Sequence, residues 1–224
     1  MNFRVSGQKI HITTQTKYLG IILDEHLTWS QHIKQLKSKL SRANGLLAKV
    51  RYYTSENLLR TIYYALFESH MRYGCQIWGQ TSSQLTNEIA ILQNKALRII
   101  TFSDRNTPAD PLFKQLKILK FDQMIQMDNC LLALNHINKS LPKTFENFFQ
   151  YSNNQHNHNT RDSSSKKIVL PQVKTTHYGL QSIKYRAGKD WNNIQQKLTT
   201  FNFEEDFLSK SKFITTLKDY FQQN

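Results

Sequence analysis

Cysteine is nearly absent from this chain: Cys75 and Cys130 are the only two in 224 residues. Two thiols supply neither a disulfide framework nor a Cys-rich zinc site, and they suit a reducing compartment where they act as small apolar residues. Long apolar runs are missing too. No stretch of about 18 apolar residues exists, so no membrane-spanning helix is expected, and the opening MNFRVSGQKIHI has no apolar signal-peptide core. The expectation is an intracellular protein, with nucleus and cytoplasm both open. A phosphate-binding glycine loop, a dinucleotide glycine motif, a GxSxG elbow and a Cys–His signature are all absent. Acid is scarce as well. Sixteen Asp and Glu stand against 30 Lys and Arg, giving a formal charge of +14 and a pI near 9.8, a balance that favours a polyanionic partner. The excess is spread along the chain, with 14 basic and 6 acidic groups in residues 1–105 and 16 and 10 in residues 106–224. A single basic tail is thereby excluded.

What is present is helical periodicity. From Trp29 to Tyr53 the apolar residues Ile33, Leu36, Leu40, Ala43, Leu47 and Val50 recur every three or four positions, one stripe of an amphipathic helix. At about 100° per residue Lys34, Arg42 and Lys49 fall on the opposite face and Lys37 on a flank. Between His26 and Arg60 there are seven Lys or Arg and one acid, Glu56. Ser30 occupies the expected N-cap. The basic face reads either as a solvated surface or as a helix laid along a phosphate backbone.

Around this helix the pattern predicts short strands before it and helices after it. Phe3–Val5 and Lys9–Ile12 flank Ser6-Gly7 as a hairpin, and Tyr18–Leu23 is a β-rich run closed by Asp24-Glu25. These strands are too few to stand alone, as if the remainder of a sheet were missing. A second helix, capped by Thr54 or Ser55, turns Leu59, Ile62, Leu66 and Phe67 inward. A third, capped by Ser82 or Ser83, turns Leu85, Ile89, Leu92, Ala96 and Ile99 or Ile100 inward, completing a small bundle. Residues 103–111 read as a linker, with Asp110 and Pro111 as N-cap and first residue of the next helix. Further helices are expected over about Asp122–Ile137, Leu180–Leu198 and Ser211–Phe221, and the polar stretch Tyr151–Lys167 as a loop. The fold class is therefore mainly α: short N-terminal strands, a three-helix bundle, then a second small helical region with a polar loop.

No constellation reads as an active site. Glu204, Glu205 and Asp206 are consecutive and diverge on any helix, which suits an exposed helix start. His156-Asn157-His158 lies in the polar loop, with Asp162 the one carboxylate at ligand spacing. The chain reads as a binding and scaffolding segment.

Several passages nevertheless resemble a known family. Lys17-Tyr18-Leu19-Gly20-Ile21-Ile22-Leu23-Asp24, followed by Leu27-Thr28-Trp29 and His32-Ile33, is similar to the passage where reverse transcriptases of non-LTR, LINE-type (jockey- or CR1-like) retrotransposons leave the palm and enter the thumb. Tyr63, Tyr73-Gly74 and Trp78, then Leu92 through Ile100, resemble two further passages. So do His156–Arg161 and the closing pattern of Gly179, Ser182, Tyr185, Gly188 and Trp191-Asn192.

The resemblance implies an RNA-directed DNA polymerase of a mobile element. The paired palm carboxylates of such an enzyme precede the Tyr18 passage, and residues 1–16 contain no Asp or Glu. The expectation is thus a truncated polymerase, not itself an enzyme: residues 1–25 a palm remnant, 26–102 a thumb-like bundle, 103–111 a linker and 112–224 a C-terminal helical region. It would hold no cofactor, whereas the parent would need a divalent metal such as Mg. Its expected partners are RNA, DNA or an RNA–DNA hybrid and the missing palm and fingers, with no membrane; oligomeric state is open. Backbone contacts fall to Lys34, Lys37, Arg42 and Lys49 with Arg51 and Arg60 behind them, and template RNA to Arg161, Lys166 and Lys167. The alternative is a domesticated helical module that uses the same faces for a protein partner.

Overall fold

Two antiparallel hairpins open the chain and helices make up nearly all of the rest; the computed structural model describes residues 3–6, 8–10, 12–152, 167–198 and 209–223. Strand β1 (Phe3–Val5) pairs with β2 (Gln8–Ile10), and β3 (Gln15–Tyr18) with β4 (Ile21–Asp24). The β-rich run at 18–23 is therefore not a single strand. It reverses at Leu19 and Gly20, whose φ angles of 45° and 83° are the positive values a two-residue I′ turn requires.

Helix α1 (Ser30–Val50) buries Ile33, Leu36, Leu40, Ala43 and Leu47, as its stripe predicts. Its start differs from expectation. Trp29, in the left-handed region at φ 65°, is the N-cap, and Ser30 is the first helical residue. The chain is gathered by Asp24 instead. One carboxylate oxygen accepts the N–H groups of His26 (3.2 Å) and Thr28 (2.9 Å), and the other accepts that of Trp29 (2.8 Å). Burial pushes this carboxyl upward, but those donors and the Thr28 hydroxyl outweigh it and leave its pKa below the ordinary value.

Ser55 caps α2 (Glu56–Ile62), accepting the Leu58 N–H at 3.4 Å. The helix then widens into a π-helical stretch, Tyr63–Glu68, before α3 (Ser69–Arg72). A π stretch takes more residues per turn, so the inward face becomes Leu59, Tyr63, Phe67 and Met71, all with no exposure. Leu66, which regular 3.6-residue periodicity turns inward, is left 38% exposed.

After α4 (Cys75–Trp78), helix α5 (Ser83–Ile100) packs along α1 and turns Ile89, Ala96, Leu97 and Ile100 into the core. Helix α6 (Ala109–Leu116) starts two residues earlier than Asp110-Pro111 suggests, with Pro108 as N-cap; Asp110 instead pairs with Lys120 at 2.8 Å. Helix α7 (Phe121–Ile137) touches α4, α5, α8 (Ile183–Lys197) and α9 (Lys210–Gln223), which is why Met124, Ile125, Met127 and Cys130 are all buried on it. Phe121 stacks on Trp78 with ring centres 5.5 Å apart.

Buried polar groups are placed where backbone would otherwise be orphaned. The Gln93 amide donates to the Tyr63 hydroxyl (3.0 Å) and the Leu119 carbonyl (2.9 Å) and accepts the Phe121 N–H (3.0 Å). The Asn192 side chain acts as one strand partner for Ile168, accepting its N–H and donating to its carbonyl, both at 2.9 Å. That contact needs Gly188, because a Cβ there would lie 2.9 Å from Leu170 and 3.0 Å from Ile168.

Candidate nucleic-acid interface

The exposed side of α1 carries Lys34, Ser38, Ser41, Arg42, Gly45 and Lys49. Three small residues lie between three cations, so the helix backbone is accessible along this face. Nothing lies within 4 Å of where a Gly45 Cβ would sit. A mid-helix glycine costs roughly 1 kcal/mol relative to alanine, and here no intramolecular packing compensates for it. The Arg42 guanidinium lies back along the helix, its Nε donating to the Ser38 carbonyl at 3.4 Å. Among the described residues, no acidic side chain forms an ion pair with Lys34, Arg42 or Lys49.

The other expected cations are placed differently. Lys37 is paired with Glu88 of α5 at 2.7 Å. Arg51 is half-buried, its guanidinium carbon 4.2 Å from the centre of the Phe102 ring and 5.2 Å from that of Tyr52. Arg60 is half-buried too, and the Nε atoms of both arginines are buried without a hydrogen-bond partner. Lys167 is half-buried, and its carbonyl accepts the Ser152 N–H. Arg161 and Lys166 lie outside the described residues, as do His156, His158, Asp162 and the acidic run Glu204–Asp206.

A second basic feature was not singled out by sequence reading. Lys39 lines a cleft of about 280 Å³ with Gly20, His32, Gln35, His70 and Tyr73. Spacings of three and four residues put His32, Gln35 and Lys39 on one side of α1, and Ser69, His70 and Tyr73 form the opposite wall. His32 Nδ1 lies 3.4 Å from the Ile22 N–H that it accepts, which requires a neutral ring. Burial, with the Lys39 charge second, pushes the His32 pKa below its ordinary value.

Other titratable clusters serve the fold. Arg72 forms a fork to Asp128 of α7, with Nε donating at 3.1 Å and a shorter second bond, and lies 3.9 Å from Glu68. Burial pushes the Cys75 thiol up to about 12 and raises Cys130 well above its usual value, so both stay protonated thiols. Among the described residues no group of three His, Cys, Asp or Glu side chains converges to hold a metal ion.

Residues that carry the family resemblance meet in space. The Tyr73 hydroxyl donates to the Leu19 carbonyl at 2.6 Å, and the Trp78 indole N–H donates to the Tyr73 carbonyl at 2.9 Å. Gly74, at φ 64°, lies so close to Ile21 that a Cβ would fall 2.6 Å from its Cδ1. These residues hold the hairpin, the α1 start and the core in register.

Part of this chain is similar in sequence to known proteins. The chain is 34% identical over 113 residues to a probable RNA-directed DNA polymerase from transposon X-element of Drosophila melanogaster, covering 48% of this chain and 12% of that protein. It is 31% identical over 126 residues to the RNA-directed DNA polymerase from mobile element jockey of the same fly, covering 54% and 14%. This is distant, partial homology to non-LTR retrotransposon polymerases. A third relative, the probable polymerase from transposon BS, is 29% identical over 123 residues, covering 50% and 13%. The chain thus spans about one-eighth of the length of the curated relatives it matches. No family model matches, and no solved structure matches significantly. No described helix is long and apolar enough to cross a membrane.

Proposed function

We propose that this chain is a nucleic-acid-binding part of a non-LTR retrotransposon reverse transcriptase, thumb-like over residues 26–102, that holds a template–primer backbone without choosing its sequence. The observation that carries the reading is the exposed face of α1, where Lys34, Arg42 and Lys49 stand over Gly45, Ser38 and Ser41 and, among the described residues, no acid forms an ion pair with any of them. Backbone contacts of this kind fix position and carry no sequence information, which suits a polymerase that must slide over every template. Catalysis belongs to the carboxylates of a palm that this part does not supply.

Binding should be governed by counter-ion release. Three phosphates neutralised by Lys34, Arg42 and Lys49 give a slope of about −3 for log affinity against log salt. The test is a salt titration of binding to a blunt RNA–DNA hybrid, with the wild type and the double charge reversal Lys34→Glu/Arg42→Glu. The double variant should flatten the slope toward about −1. A wild type that ignores hybrid at low salt while capturing an acidic protein would replace this reading by a protein-docking module.

A further inference from the structure

We infer that the far end of the same helix is a stacking platform for an unpaired base of a bound nucleic-acid strand, an inference that rests on the nucleic-acid reading above. At Arg51–Tyr53 the chain leaves α1 as a single 3-10 turn with no buried residue. Tyr52 is 75% exposed, Tyr53 88% and Phe102 50%, where Tyr63, Phe67, Trp78 and Phe121 of the same bundle are buried in the core. Tyr52 and Phe102 meet edge to face, ring centres 6.1 Å apart, and the Arg51 guanidinium lies against both. The cation therefore stiffens the two rings and keeps positive charge beside them.

Phe102 is held in an unfavourable conformation. It follows α5 at φ 55°, in the left-handed region, where the Phe102 N–H bonds to the Ile99 carbonyl and the Ser103 N–H to the Arg98 carbonyl. This is the helix-ending pattern whose left-handed position is usually glycine. A bulky residue there is strained, and Phe102 does not offset that strain by entering the core. Strain retained on an exposed ring is a pointer to use.

The occupant follows from charge and shape. Lys49 and Arg105 are exposed on either side in sequence, against the acids Glu56 and Asp104, and the platform continues the basic face of α1. A strand whose phosphates track Lys34, Arg42 and Lys49 would leave the helix at Tyr52 and Tyr53. There a base with no partner can lie on a ring, a contact tolerant of sequence because every base has a π-face.

The experiment compares a blunt RNA–DNA hybrid with the same hybrid carrying a four-nucleotide single-stranded overhang that contains 2-aminopurine. Anisotropy reads affinity and 2-aminopurine fluorescence reads stacking. The wild type should bind the overhang probe about tenfold more tightly and quench the fluorophore. Tyr53→Ala should lose both effects and keep the blunt-hybrid affinity. Phe102→Gly should reduce both, with a melting temperature no lower than that of the wild type. Equal affinity for the two probes with unquenched 2-aminopurine overturns the platform and leaves the basic face standing. Failure to bind either probe overturns both. Sedimentation showing a dimer that Tyr53→Ala dissociates overturns the platform in favour of a contact between copies.

Discussion

The Tyr73 hydroxyl and the Leu19 carbonyl, 54 residues apart, are joined by a 2.6 Å hydrogen bond that ties the tip of the β3–β4 hairpin to the residue just past α3. Next to it Gly74 receives Ile21, the one hairpin residue that is fully in the core. Together they seat the start of β4 beside α3, while the Asp24 carboxylate at its other end gathers the chain into α1.

Removing each member should cost differently. Tyr73→Phe loses one hydrogen bond on a half-exposed ring, roughly 0.5–1.5 kcal/mol. Gly74→Ala places a Cβ at positive φ and against Ile21, costing about 1–3 kcal/mol. Urea unfolding should rank Gly74→Ala below Tyr73→Phe; the reverse order would mean that the hairpin is not seated on Gly74.

The Asp24 clamp sets an acid limit. Its folded pKa lies below the unfolded value, so its stabilising effect is fully present above about pH 4 and is lost as pH falls through the folded value. Melting temperatures of Asp24→Asn should be lower than the wild type at pH 7 and should converge with it at about pH 2. A constant gap across that range would show that the carboxylate charge plays no part.

His32 acts at a higher window. A neutral ring accepts the Ile22 N–H, and burial together with Lys39 depresses its pKa, so stability is full above about pH 6.5 and declines as pH falls through the folded value. His70 lines the same cleft on the opposite wall. His32→Gln should flatten the melting profile between about pH 7 and 5. An unchanged profile would show that the His32 ring does not set this pH dependence.

Glu88 holds one of the expected contact lysines. The Lys37–Glu88 pair is half-buried at the surface and is worth about 0–1 kcal/mol. Glu88→Gln should therefore hardly change unfolding, yet free Lys37 and steepen the salt slope of hybrid binding by about one. A slope that stays put would mean that Lys37 faces away from the bound strand.

Gly45 separates folding from binding. With open space where its Cβ would sit, Gly45→Ala should raise stability by about 1 kcal/mol. Gly45→Gln should also fold, but its longer side chain should weaken hybrid binding severalfold if a backbone approaches this face closely. Equal binding by all three proteins would leave the glycine with no role at the interface.

Much of the fold was legible in local pattern. The α1 stripe from Ile33 to Leu47, the Ser55 cap and the extents of α5 and α7 rest on interactions within one segment, and sequence spacing reports those directly. Leu66 shows where the pattern stops working. Its outward turn follows from the π-helical stretch, which no 3.6-residue count anticipates. Tyr18–Leu23 shows a second limit, because a β-rich run does not say whether it stays straight or reverses at Leu19-Gly20.

A helical, strongly basic chain that is amphipathic along α1 follows from composition and periodicity alone, because both are properties of one segment at a time. Which of the described cations meet a partner depends instead on the packing of distant segments. Lys37 meets Glu88 and Arg51 meets Phe102 across 51 residues each, and the Asp24 carboxylate becomes a loop clamp. Such pairings depend on how packed helices align, and Coulomb attraction over a few ångströms cannot be read from separation along the chain.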